Sequence, residues 1–247
     1  MRLSIKIESK LKNKKPRVLA VIPARGGSKR LPRKNILKIA DHPMIAYSIM
    51  AVKNATRVTD WLVSSDDDEI LEIAKEYGAS SPFKRPDYLA TDEVRNIDVA
   101  LHALEYMERA QGEPYDIIVL LQPTTPIRSA LHIDEAIEKL WQSNLPSLSA
   151  VKGPYQKRDP ILKRIDEDGN LVPYCSNPQL DPREPFYIYN AALYAVKRDY
   201  FVREKKFISD KQIPFLMDEY HSTDVDELAD LIVAEAYLQQ MNKMKGV

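Results

Sequence analysis

The run Arg17-Val-Leu-Ala-Val-Ile-Pro23 has no polar residue between its ends. A strand with one face in water alternates apolar and polar side chains. An unbroken apolar run therefore implies a strand buried on both faces, as in a parallel sheet covered by helices on each side. Trp61-Leu-Val-Ser-Ser65 and Asp116-Ile-Ile-Val-Leu-Leu-Gln122 read as further strands, the second again buried on both faces. Residues 148–151 and 187–196 also read as strands. Helical patterns separate them: 44–55, with Pro43 at its start, and 66–77, opened by three acids and closed by Gly78. Residues 92–110, 129–143 and 224–241 are predicted helices as well. Strands alternating with helices require right-handed crossovers, which gives a three-layer α/β fold with a mainly parallel sheet.

The rhythm breaks between Gly153 and Pro185, where Pro154, Pro160, Pro173, Pro178, Pro182 and Pro185 crowd the chain. Asp168-Gly169 is a hairpin signal between Leu162-Lys-Arg-Ile165 and Leu171-Val172. No βαβ unit has this composition, so residues 153–186 are expected to form an inserted arm on a domain spanning 17–247. Residues 1–16, with Lys6, Lys10, Lys12, Lys14 and Lys15, are expected to be a solvated basic extension.

Composition excludes several classes of function. Lys and Arg total 36 and Asp and Glu total 36, so the chain has no general attraction for nucleic acid or anionic membrane. Any anion must be held by local donors. Cys175 is the single cysteine, which rules out an internal disulfide and fits a reducing cytoplasm. No apolar run approaches the roughly 18 residues of a membrane span.

The segment Ile22-Pro-Ala-Arg-Gly-Gly-Ser-Lys-Arg-Leu-Pro-Arg-Lys-Asn35 follows the first strand, at the edge where open α/β sheets bind ligands. Gly26 and Gly27 permit a tight turn that brings N–H groups to phosphate oxygens. Ser28 adds a donor, and Arg25, Lys29, Arg30, Arg33 and Lys34 place five positive charges within ten residues. That density suits a triphosphate. Neither the P-loop spacing nor the dinucleotide glycine spacing is present.

This string resembles the signature of the acylneuraminate cytidylyltransferases, the CMP-sialic acid synthetase family. Four more segments are similar to family motifs and in the same order: Val63-Ser-Ser-Asp-Asp-Asp68, Arg85-Pro-Asp-Tyr-Leu-Ala90, Leu121-Gln-Pro-Thr-Thr-Pro-Ile-Arg128 and Ser222-Thr-Asp-Val-Asp-Glu-Leu228. The resemblance implies a Rossmann-like nucleotidyltransferase fold and transfer of CMP from CTP to an acidic nonulosonic sugar. It implies nucleotide contacts from Ala24, Arg25, Gly26, Gly27, Ser28, Lys29, Lys34, Asn35, Arg85 and Val94. Arg25, Lys29 and Lys34 would meet the developing charge, with Asp224 and Asp226 as ligands of Mg²⁺ or Mn²⁺. Hard oxygen donors suit that ion. The same acids also read as a helix cap. Sugar contacts would come from Gln122, Arg128, Lys163, Tyr189 and Asn190; Arg128 serves equally well as a cap of the following helix. The arm would build a homodimer.

One segment departs from the family pattern. Tyr187-Ile-Tyr-Asn-Ala-Ala-Leu-Tyr194 has Ile188 where the family carries an arginine against the sugar, and Ala191 where it carries glycine. Ile188 either faces the sugar, favouring a deoxy, diacetamido acceptor of legionaminic or pseudaminic type, or faces the core. A 3-deoxy-manno-octulosonate (KDO) or sugar-phosphate nucleotidyltransferase, and a silent nucleotide-sugar binding protein, remain as alternatives.

Overall fold

The computed structural model describes residues 15–156, 163–165, 167–173 and 185–244. In chain order the strands are β1 (Val18–Pro23), the short β2 (Lys38–Ile39) and β3 (His42–Pro43), then β4 (Asp60–Ser64) and β5 (Ile117–Leu120). They continue with β6 (Ser147–Gln156), β7 (Lys163–Ile165), β8 (Leu171–Pro173), β9 (Pro185–Lys197) and β10 (Ile213–Leu216). The helices are α1 (Met44–Lys53), α2 (Asp68–Glu76), α3 (Asn96–Gln111), α4 (Ala130–Gln142), α5 (Arg198–Glu204) and α6 (Leu228–Met244).

The main sheet has the order β10-β6-β9-β5-β1-β4, with β9 antiparallel to both its neighbours and the other pairings parallel. As the apolar run requires, β1 is central and covered twice. Val18, Ala20 and Ile22 pack with Ile45 and Ile49 of α1, Ile70 of α2 and Ile133 and Ile137 of α4. Leu19 and Val21 point to the other face, with Ala100 and Leu104 of α3 and Phe201 of α5. Burying a side chain of this size contributes about 1.5–3 kcal/mol, so the two-sided strand is the fold's main apolar anchor. The three-layer, mainly parallel α/β fold agrees with expectation.

The outer part of β6 and the start of β9 leave the sheet as an antiparallel ribbon, pairing Tyr155 with Phe186 after two register shifts. β7 and β8 pair around Gly169, which has φ 84°. Cys175 and Arg183 lie outside the described residues, as do residues 1–14 of the basic extension.

Two helix starts differ from expectation. α3 begins at Asn96 rather than 92, and α6 at Leu228 rather than 224. At the first, Asp92 pairs with Arg25 and Lys29; at the second, Asp226, offered as part of a cap, pairs with Lys34 and Arg30. Asp230 caps α6 from within, accepting from the N–H groups of Asp226 and Glu227 at 2.9 Å. The capping role offered for Asp224 and Asp226 is therefore not the one they have. α5 and β10 were not foreseen; β10 is a four-residue edge strand that alternates buried and exposed. Among the described residues no helix is long and apolar enough to cross a membrane.

Candidate active site

The loop after β1 is held by its own glycine, its own asparagine and acids from elsewhere. Ala24 is buried, and its N–H donates to Ser64 O at 3.0 Å. Gly26 N–H donates to Asp66 Oδ1 at 3.2 Å, and a Cβ at Gly26 would lie 2.5 Å from Asp67 Oδ2. Only glycine permits that approach. Gly27 has no such constraint, since a Cβ there meets nothing within 4 Å. Ser28 N–H donates to Gly26 O at 3.1 Å. Asn35 is buried and donates from Nδ2 to Arg25 O at 2.9 Å, so it fixes the loop's own backbone.

Every cation of this loop is paired. Arg25 meets Asp92 at 2.5 Å, and Lys29 joins the same carboxylate. Lys34 meets Asp226 Oδ1 at 2.9 Å and Arg30 its Oδ2 at 3.0 Å. Arg33 bridges Asp67 and Glu69. These contacts set the acids' protonation. Lys29, then Arg25, hold Asp92 below the usual carboxylate range. Lys34, by its hydrogen bond, does the same for Asp226.

Arg25, Ser28, Lys34, Asn35, Arg85, Val94 and Gln122 line one cavity of about 410 Å³. Lys29 reaches Asp92 at its rim, and Ala24, Gly26 and Gly27 form the turn beside it. Arg85 is only 4% exposed. Its guanidinium donates to Ser64 Oγ at 3.2 Å, to Ser64 O and to Leu89 O at 3.4 Å, and burial pulls its pKa down to about 10. It braces the cavity wall from within.

Asp224 and Asp226 stand where Lys34 and Thr124 close the same cavity. Val225 N–H donates to Thr124 O at 2.7 Å, which clamps the segment between the two acids. The Thr124 hydroxyl donates to Asp224, yet Asp224 Oδ1 is buried with no partner, and burial pushes this carboxyl up. Two neighbouring carboxylates, one with an orphaned oxygen, suit a hard divalent cation whose remaining positions come from phosphate and water. Among the described residues no group of three or more His, Cys, Asp or Glu gathers to hold a metal.

A second cleft of about 500 Å³ adjoins the first through Arg95, Asn96 and Gln122, and is lined further by Leu120, Tyr194, Lys206, Phe207 and Ile208. Of the described residues expected at the sugar, only Gln122 lines it. Arg128 is 3% exposed. It donates to Ala192 O, to Ser48 Oγ at 2.6 Å and to Gln122 O at 3.4 Å, and burial pulls its pKa down to about 9. It ties the 122–125 turn to α1 and β9, does not cap α4, and lines neither of these two clefts. The cap of α4 is Ser129. Asn190 is also turned inward. Its Nδ2 donates to Ser222 Oγ at 2.8 Å and its Oδ1 accepts from Ala192 N–H at 3.1 Å, so it joins β9 to the segment bearing Asp224. Tyr189 is exposed on the ribbon, its hydroxyl bound to Gln212. Lys163 begins β7, and its side chain lies outside the described residues. Ile188 is 45% exposed, which removes the reading that it faces the core. Ala191 has φ 59°, the left-handed region that glycine occupies without strain.

Sequence reasoning missed Asp92, Arg95, Asn96, Tyr194, Lys206, Phe207 and Ile208. Tyr194 ends the quoted 187–194 string and was open to notice. The segment 205–209 carries no periodicity or motif that would have marked it.

The model of the cytidylyltransferase family matches residues 19–242. The chain is 32% identical over 235 residues to the CMP-N,N'-diacetyllegionaminic acid synthase of Legionella pneumophila, covering 90% of this chain and 97% of that one. It is 30% identical to the N-acylneuraminate cytidylyltransferase of Escherichia coli, over 93% of this chain and 54% of the relative. The fold also superposes on a CMP:2-keto-3-deoxy-manno-octonic acid synthetase complexed with CTP, with a TM-score of 0.67 at 19% identity and coverage of 91% and 99%. A basic loop beneath a paired-carboxylate site, on this sheet and with these relatives, makes the chain a member of the cytidylyltransferase family.

Proposed function

We propose that the chain transfers CMP from CTP to the anomeric hydroxyl of an acidic nonulosonic sugar and releases pyrophosphate. The observation that carries this reading is the junction of two clefts at Gln122. A cation-lined cavity able to take a nucleotide opens there onto a less polar cleft able to take a second substrate. The anomeric oxygen attacks the α-phosphorus while the bond to the bridging oxygen of the β-phosphate breaks. Pyrophosphate leaves with that electron pair, and the hydroxyl proton passes to solvent. Such transfers depend mainly on positioning and charge neutralisation. Arg25 and Lys29 reach the side of the cavity at Asp92, and Lys34 the side at Asp226, so the three can hold a triphosphate between them. Asp224 and Asp226 would hold Mg²⁺, or Mn²⁺ in its place, which supplies further charge neutralisation at phosphate oxygens.

The apolar second cleft favours a deoxy, diacetamido sugar of legionaminic or pseudaminic type, in keeping with the Legionella relative. We place the reaction in the cytoplasm, on a homodimer formed through the ribbon, where Tyr187, Ile188 and Tyr189 are exposed, and the β7–β8 hairpin, where Ile165 and Leu171 are exposed. The test is magnesium-dependent pyrophosphate release with CTP across a panel of ulosonic acids. CTP should be preferred over GTP, ATP and UTP. Comparable turnover with GTP would reject the cytidine reading, and a tenfold preference for N-acetylneuraminate, about 1.4 kcal/mol, would reject the sugar assignment.

A further inference from the structure

In a ulosonic acid the carboxylate and the attacking hydroxyl sit on the same carbon. Whatever holds the carboxylate therefore also orients the attacking oxygen. That role needs a cation beside the second cleft that is not already neutralised, and the described cations lining the two clefts can be taken in turn; Lys163, whose side chain lies outside the described residues, is not among them. Arg25 is paired with Asp92 and Lys34 with Asp226. Arg95 gives two hydrogen bonds to Asp98, at 3.2 and 3.3 Å. Arg85 is buried, with its donors on Ser64 and Leu89. Arg128 is buried and lines neither cleft. Lys206 lines the second cleft and has no carboxylate or hydrogen-bond partner among the described residues.

Its backbone is held on both sides. Lys205 ends α5 with φ 50° and donates its N–H to Phe201 O at 2.9 Å. Phe207 is buried, its ring centroid 4.7 Å from that of Phe201. Ser209 is buried and donates its N–H to Ser147 Oγ at 3.1 Å. With Phe207 anchored on Phe201 and Ser209 on Ser147, the segment between them is fixed at the cleft, which Lys206, Phe207 and Ile208 line. An ammonium on a long stem above an apolar wall suits a ligand with one anionic end and an acylated, partly apolar body.

We propose that Lys206 anchors the carboxylate of the acceptor sugar, an inference that rests on the acceptor reading above. The experiment is steady-state kinetics of Lys206→Met and Lys206→Arg with the best ulosonic acid from the panel, alongside its methyl ester. Lys206 is exposed, so both variants should melt as the wild type does. Lys206→Met should raise the KM for the acid about tenfold or more, leave the KM for CTP unchanged, and treat acid and ester nearly alike. Lys206→Arg should recover most of the loss and keep the preference for the acid. If Lys206→Met keeps the wild-type KM for the acid and the wild-type preference over the ester, the inference is overturned while the function stands. A wild-type enzyme that turns over no ulosonic acid with CTP overturns the functional reading, and the inference with it.

Discussion

Asp224 and Asp226 are two residues apart, and their neutralisation should move stability in opposite directions while removing the same activity. Burial holds the Asp224 carboxyl above its ordinary value of 3.8, and one of its oxygens has no partner. A group raised in this way contributes stability that is fully present below its unfolded value and lost as pH rises through its folded value. At neutral pH its charge is therefore a cost, and Asp224→Asn relieves it. An unsatisfied buried polar group costs about 1–3 kcal/mol; the new amide keeps part of that cost, so a gain of about 1 kcal/mol is expected. Asp226 is the reverse case. Lys34 and Arg30 hold it below 3.8, so its stabilisation is present above the unfolded value and lost as pH falls through the depressed one. Asp226 is partly exposed, and each of its two ion pairs is worth at most about 1 kcal/mol, so Asp226→Asn should lose about 1 kcal/mol at neutral pH. In a chain this long 1 kcal/mol moves Tm by about 2–4 °C. Thermal melts in chelator-containing buffer should show Asp224→Asn above the wild type and Asp226→Asn below it. The Asp224→Asn gain should shrink as the buffer is acidified toward the carboxylate range. Both variants should lose most of their CTP turnover. Melts that shift in the same direction would refute this account of the site's charges, and retained turnover in both would remove the metal assignment.

Two further outcomes follow from the backbone and the ribbon. Ala191 at φ 59° bears roughly 1 kcal/mol of left-handed strain, against about 0.4–1 kcal/mol of added chain entropy for glycine, so Ala191→Gly should be neutral to slightly stabilising in urea unfolding. Ala192→Gly, at a buried neighbour whose φ is not positive, should destabilise, and the opposite ranking would refute the strain. Light scattering should give a mass near twice 28.3 kDa, falling to 28.3 kDa when Tyr187, Ile188 and Tyr189 are replaced by serine; a wild-type monomer refutes the ribbon interface.

What was legible in the sequence was what depends on neighbours in the chain. β1 and β5 declared their two-sided burial in unbroken apolar runs, and α2 its start in the acids around Asp67, whose side chain accepts from Ile70 N–H at 3.1 Å. The errors came where an acid had a distant partner. Asp92 falls inside the helix predicted over 92–110 because its use by Arg25, 67 residues away, leaves no local trace. The cap open to Asp226 beside the metal reading fails for the same reason, its partners Lys34 and Arg30 being 192 and 196 residues away. Arg128 and Asn190 lie in strings similar to family motifs, but nothing local says that such residues turn inward to brace the frame. α5 and β10 are seven and four residues long, too short for a period to emerge.

The distant acids also explain how a chain with equal numbers of acidic and basic residues can hold a polyanion. Five cations within ten residues would repel one another if left bare, and here three other segments neutralise them. Asp92 takes Arg25 and Lys29, Asp226 takes Arg30 and Lys34, and Asp67 with Glu69 takes Arg33. The three sets are not equivalent. Asp67 also caps α2 and lies against Gly26, so releasing Arg33 would loosen the turn itself. Asp92 and Asp226 stand at the rim, and each can give up its cations without disturbing a strand or a helix. On the proposed function, binding of a triphosphate would exchange carboxylate for phosphate at Arg25, Lys29, Arg30 and Lys34, with Arg33 left in place. A ligand with one phosphate meets only one of the two rim carboxylates and competes poorly with it. A triphosphate that met both would displace both, and a cation drawn to Asp224 and Asp226 would further free Lys34 and Arg30 for it. Selection for a polyphosphate would thus rest on two acids that the loop's own sequence does not contain.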